Sequence, residues 1–277
     1  MTKKKVGLAL GGGVARGIAH IGVLEILEKE GIDIDVVAGT STGAVIGALH
    51  ASGMNAADMK KLVLGFDWKK RGQLVDFGIP HTGFISGERL KHEIQKVLGG
   101  DIQFKDLKKP FACVACDLMT GEEIMMNSGP VADAVRASIS IPVIFQATKH
   151  KGRYLVDGGL VNQVPVNVVK AMGADYVIAV NVVPRHVHKG KPHPGDCVID
   201  EAQNDPPPNI IGVMLSVIDI ANSCRIDASL SGANAIIEPC MTHIGPADFN
   251  KSDMAILQGE MAAIDAVLKI KKDLAKN

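Results

Sequence analysis

No sign of charge dominates this chain: 30 lysines and arginines stand against 30 aspartates and glutamates. A domain built for nucleic acid would show a basic excess, so nothing in the balance favours that partner. Long apolar runs are missing as well. The nearest approach, Ile210 to Ile220, is followed by polar and charged positions such as Asn222 and Arg225 and already contains Asp219, so it falls short of a membrane span. Lysines ahead of Val6–Leu10 imitate the start of a signal peptide, but that run is too short and leads into three glycines and Arg16. The expectation is a soluble, cytoplasmic protein.

Cysteine is sparse and odd in number, five scattered residues, which fits a reducing compartment. Cys113 and Cys116 form a C-x-x-C, yet they lie in the strand-like run Phe111-Ala112-Cys113-Val114-Ala115-Cys116. An odd separation on a strand turns two side chains to opposite faces. No second C-x-x-C completes a zinc site and no helix opens at Cys113, so both read as small buried apolar residues. His186 and His188 tempt a metal reading but sit among six prolines between Pro184 and Pro208, where a solvated loop is the simpler account. Neither a metal nor a cofactor is expected. Aromatics are few, one tryptophan, two tyrosines and seven phenylalanines, and four of them (Phe66, Trp68, Phe77, Phe84) crowd one stretch. That stretch reads either as a flap over an active site that touches membrane surfaces or as a satellite core under a loop. Repeats and low-complexity tracts are absent.

What is present is a strand–helix alternation. Lys5–Leu10 is a short apolar strand opening into Gly11-Gly12-Gly13-Val14-Ala15-Arg16-Gly17, and Ile18 to Leu27 follow at helical spacing up to Gly31. Asp33–Ala38 predicts a second strand and Thr42–Ala51 a second helix. Such an opening implies a parallel sheet with crossover helices. Further helices are expected from Asn55 to Gly65, from Ser86 to Gly99-Gly100, over Val131–Ala137, Val166–Met172 and Ile210 to about Leu230, and from Ser252 to the C-terminal lysines. Further strands are expected over Cys113–Asp117, Glu122–Met126, Tyr154–Val156, Tyr176–Val183 and Ala235–Glu238. The chain thus divides into an α/β unit over 1–183, a loop or linker over 184–208, and a helical segment over 209–277 packed on the same domain.

The chemistry centres on Gly39-Thr40-Ser41-Thr42-Gly43, a G-x-S-x-G between a strand and a helix. A serine at so sharp a turn adopts strained backbone angles, and the flanking glycines remove side chains that would collide there. Ser41 is placed at a helix N-terminus, where developing negative charge is favoured; the competing reading is a packing turn capped by a serine. The first glycine loop fails as a dinucleotide site: Arg16 stands where the third glycine belongs, and no carboxylate ends the second strand. Its consecutive N–H groups can instead hold an oxyanion. For the base, His243 is the main histidine candidate, but no histidine sits in a turn of small residues. Asp157 does, at the end of an apolar strand in Tyr154-Leu155-Val156-Asp157-Gly158-Gly159, although Asp-Gly-Gly alone also reads as a plain turn.

Taken in order, Gly11-Gly12-Gly13 with Arg16-Gly17, Gly39-Thr40-Ser41-Thr42-Gly43, Ala137-Ser138 with Pro142, and Asp157-Gly158-Gly159 resemble the motifs of patatin-like phospholipases, and Ile237-Glu238-Pro239 is similar to the bacterial branch. The resemblance covers roughly the first 185 residues; the glycine motif is one residue longer than the family's plain form. It implies a three-layer α/β/α sandwich with a mainly parallel sheet, a Ser41–Asp157 dyad without histidine, and an oxyanion hole from Gly11, Gly12, Gly13 and Val14. Arg16, Thr42, Ser138, Gly158 and Gly159 are expected to line the site. The implied activity is hydrolysis of lipid acyl esters, as in a phospholipase A or lysophospholipase. The other classes considered are an acyltransferase taking a thioester, which would ordinarily use a histidine, and a slow lipid-binding regulator. Head group, acyl length and oligomeric state are not legible.

Overall fold

The computed structural model describes residues 3–66, 82–184 and 210–276. The aromatic-rich stretch (Trp68 and Phe77 included), the proline-rich loop and its histidines therefore fall, wholly or mostly, outside the described residues.

Apolar alternation builds the central sheet. In β1 (Val6–Leu10) Val6, Leu8 and Leu10 face one buried cluster and Ala9 another; in β2 (Val36–Thr40) Val37 faces the first cluster, Val36 and Ala38 the second. A strand buried on both faces belongs in the middle of a layered α/β fold. With β4 (Phe111–Asp117), β8 (Arg153–Asp157), β7 (Thr148–His150), β9 (Tyr176–Val180) and β10 (Ala235–Ile237), the sheet runs β10-β9-β1-β2-β4-β8-β7, and β5 (Glu123–Met126) pairs with β4. The β10 to β4 part is parallel; β5, β7 and β8 run antiparallel to their neighbours. A separate parallel pair joins β3 (Gly83–Ile85) to β6 (Val143–Phe145).

One face is covered by α1 (Ala19–Lys29), α2 (Thr42–Ser52), α3 (Ala56–Gly65), α4 (Glu88–Leu98), α5 (Val131–Ser138) and α9 (Ser252–Ala275), the other by α6 (Val166–Ala171) and α8 (Ile226–Leu230). The α1–α9 crossing is tight because both helices place glycine at it. A Cβ on Gly22 would stand 2.0 Å from the Ile256 carbonyl oxygen, and one on Gly259 2.0 Å from that of Ala19.

Several boundaries differ from the sequence expectations. β2 begins later and runs through Gly39 and Thr40. β9 stops at Val180 because the Asn181 side chain takes the Val183 N–H in a local turn. The single helix expected over 210–230 is two, α7 (Ile210–Ser223) and α8. The latter packs Ile226 and Leu230 with the α6 valines, whereas α7 reaches over the end of β8, and one straight helix cannot do both. The short strands β3, β6 and β7 carry too few residues for a periodicity to show. Cys113 and Cys116 are buried free thiols; burial pushes both upward in pKa. Cys240, in contrast, is disulfide-bonded, which the reading of scattered reduced thiols did not foresee.

Candidate active site

Two strands end at neighbouring positions along β4. Thr40, the last residue of β2, lies opposite Val114, and Asp157, the last of β8, lies opposite Ala115. Ser41 follows at once, with φ 53° and ψ −123°, an unusual backbone for an L-residue. Both flanking glycines are required by contact: a Cβ on Gly39 would meet the Gly43 carbonyl oxygen at 2.3 Å, and one on Gly43 the Leu10 oxygen at 2.2 Å. The Ser41 N–H donates to the Ser138 hydroxyl (3.0 Å), which in turn donates to the Val114 carbonyl (2.6 Å). Two residues on, the Ser140 carbonyl accepts the Asp157 N–H at 2.9 Å. The stretch after α5 thus fixes both residues from below.

The Ser41 hydroxyl donates to Asp157 Oδ2 at 2.6 Å. The other carboxylate oxygen accepts the Gly159 N–H at 2.8 Å. A Cβ on Gly158 would strike the Val114 oxygen at 2.2 Å, so glycine there lets the turn lie against β4. Burial pushes Asp157 up to a pKa of about 6, against the opposing pull of the Ser41 and Gly159 hydrogen bonds.

The glycine loop after β1 is only partly free to bind. Gly11 N–H donates to Val180 O (3.0 Å) and Gly12 N–H to Gln163 O (3.1 Å), so these two expected oxyanion donors are already engaged. The Gly13 and Val14 N–H groups have no acceptor among the described residues, and both residues border the cavity beside Ser41. Gln163 Nε2 holds the Gly12 carbonyl at 2.7 Å, and the Thr42 hydroxyl holds that of Val14 at 2.8 Å. His20, fully buried, keeps a pKa of about 4 through desolvation, so it is neutral. Its Nε2–H donates to the Gly11 carbonyl at 2.7 Å while Nδ1 has no partner.

The cavity itself is small, about 30 Å³, room for roughly one water. Beyond the loop, Ser41 and Asp157, its walls are apolar Ile141, Pro142 and Leu160, polar Gln163, and Leu215, Ile218, Asp219 and Asn222 of α7. Arg16 does not line it. Its guanidinium is satisfied by the Ile244 carbonyl (2.6 Å) and Asp219 of α7 (2.5 Å), an internal strap between the glycine loop and α7. Thr42, Ser138, Gly158 and Gly159 likewise stand behind the cavity wall, where they orient the residues that face it. His243 is exposed and takes no part. Gln163, Leu215, Ile218 and Asn222 had no signal in the sequence: each borders the cavity through a tertiary contact.

Residues 8–170 match the family model described as patatin-like phospholipase. An NTE family protein of Mycobacterium tuberculosis is 34% identical over 287 residues, covering 99% of this chain and 48% of the relative. Lysophospholipase nte1 of Aspergillus fumigatus is 36% identical over 185 residues, 65% of this chain and 12% of that protein. This chain spans about half the length of the first of these and far less of the second. Among solved structures, VipD from Legionella pneumophila shares the fold, with a TM-score of 0.54 at 16% identity over 95% of this chain and 66% of that one.

Proposed function

Because this chain belongs to the patatin-like phospholipase family, we propose that it hydrolyses carboxylic esters of lipids, with Ser41 as nucleophile and Asp157 as its base. The observation that carries the reading is the 2.6 Å hydrogen bond from the serine hydroxyl to a buried carboxylate, at a site bordered by no histidine among the described residues. As Ser41 Oγ bonds to the acyl carbon, Asp157 Oδ2 takes the hydroxyl proton. The carbonyl oxygen becomes an oxyanion facing the free N–H groups of Gly13 and Val14. Collapse breaks the ester bond, and Asp157 returns the proton to the departing alcohol. Water then attacks the acyl-serine, giving up its proton to Asp157, and the fatty acid leaves with Ser41 restored. A carboxylate with a pKa near 6 is a far better base than one at its ordinary value, yet it remains ionised at neutral pH.

The apolar part of the wall suits an acyl chain, but about 30 Å³ admits none, so the α7 wall must withdraw before an ester can reach Ser41. The test is labelling by a fluorophosphonate, with the modified residue mapped, beside product analysis on phospholipid, lysophospholipid and thioester substrates. Labelling at Ser41 with release of free fatty acid is expected. Labelling elsewhere, or acyl transfer from thioester to an acceptor without hydrolysis, overturns the reading.

A further inference from the structure

Helix α9 is held to the body by Ala255, Ile256, Gly259, Ala263, Val267 and Ile270, all buried. Its opposite side carries an apolar stripe with charged residues beside it. Met254, Leu257, Met261, Ile264 and Leu268 are all exposed, Leu268 by 77%. Their separations alternate three and four, the seam spacing of a coiled coil. A solvated helix face made of large apolar residues is a surface awaiting a partner.

The charges beside the stripe say which partner. Some charged groups on α9 are already paired, Glu260 with Lys60, Lys271 with Glu30 and Asp273 with Lys276. Asp253 and Asp265 on the acidic part of the helix, and Lys269 and Lys272 toward its end, have no ion-pair partner among the described residues; Lys269 reaches only the Asn234 carbonyl. A lipid surface prefers lysine and arginine along both flanks of an apolar stripe, and here the flanks through the first half are acidic. A second copy laid parallel would set lysines against lysines. Laid antiparallel, the seam interlocks, the helix dipoles oppose, and Asp253 falls beside the partner's Lys269 and Lys272.

We propose that the outer face of α9 is a two-fold interface, on which two copies of this chain pair through antiparallel α9 helices. The pairing is isologous, so each charge match occurs twice. It is independent of the chemistry at Ser41, since no residue of the stripe borders the cavity.

Light scattering on the eluting protein and sedimentation velocity, from micromolar concentration upward, test it. The wild-type chain should run at twice its 29.2 kDa. Leu257→Glu and Ile264→Glu should each weaken the dimer by about a hundredfold or more, because a buried unpaired charge would sit in the seam. Circular dichroism, melting temperature and ester hydrolysis should stay unchanged. Lys272→Glu should weaken association and Asp253→Lys in the same chain should restore it, a rescue that neither a membrane nor an unrelated protein would produce. A wild-type chain that stays monomeric, glutamate variants that remain dimeric, failure of the double reversal, or stripe-dependent flotation of monomers with phosphatidylcholine vesicles would each overturn the proposal.

Discussion

Replacing Asp157 with asparagine should remove activity and strengthen the fold at the same time. The carboxyl is buried and its pKa lies near 6 rather than 3.8, a difference of about 3 kcal/mol between its charged and neutral forms. Between about pH 4 and pH 6 the folded protein holds a proton that the unfolded chain has released, so stability declines as pH rises through that window. Above it the full penalty stands. Asparagine never ionises and so escapes it, though its amide must reverse one of the hydrogen bonds to Ser41 or Gly159, at about 1 kcal/mol. The variant should therefore gain about 2 kcal/mol at pH 8, a rise of about 5 °C in melting temperature for a chain of this size, and lose about 1 kcal/mol below pH 4, where only the reversed hydrogen bond counts. Hydrolysis should be lost at every pH. In the wild type, kcat/KM should fall about tenfold per pH unit below 6, as the base is protonated. Thermal denaturation at pH 4 and pH 8, with rates on one short-chain ester, makes the comparison. Coincident melting curves at pH 8, or hydrolysis constant down to pH 4, would refute the reasoning.

Gly13→Ala should lower turnover by about a hundredfold, because its Cβ would stand 2.5 Å from Val182 Cγ2 and displace a free N–H of the loop; rates on protein shown to be folded would decide it, and near-normal turnover would remove the loop from the mechanism. Arg16→Ala strands Asp219 and the Ile244 carbonyl, and should lower stability by about 2 kcal/mol; an unchanged melting temperature would mean the strap is idle. His243→Ala should keep kcat/KM within about tenfold of the parent, well short of the loss of a triad member.

The elbow and the Asp-Gly-Gly turn were legible because glycines at fixed offsets from a strand end mark a sharp turn. Gly39 answers to a contact within the turn itself, while Gly43 and Gly158 make room for Leu10 and Val114 of neighbouring strands. The helix opening at Ala56 was legible from its cap, where Asn55 accepts the Asp58 N–H. What the sequence hid is set by parts of the chain far apart. Whether Gly11 or Gly13 offers its N–H depends on where Val180 and Gln163 place their carbonyls. Arg16 was expected to line the site, but the fold brings Asp219 to it across 203 positions. The split between α7 and α8 likewise follows from two different surfaces, which an apolar run cannot distinguish.

The backbone at Ser41 also bears on how the protein would respond to selection in the laboratory. An L-residue at φ 53° and ψ −123° carries about 1–3 kcal/mol of strain that glycine would not. Ser41→Gly would shed that strain and the nucleophile together but would also take the hydroxyl donor from the buried Asp157 carboxylate; combined with Asp157→Asn, which leaves no buried charge, it should melt higher than the parent. A thermostability screen with no readout of hydrolysis would enrich changes at positions 41 and 157, and would hand back a tougher protein that no longer works. Any programme to stabilise this chain must carry an activity filter from its first round.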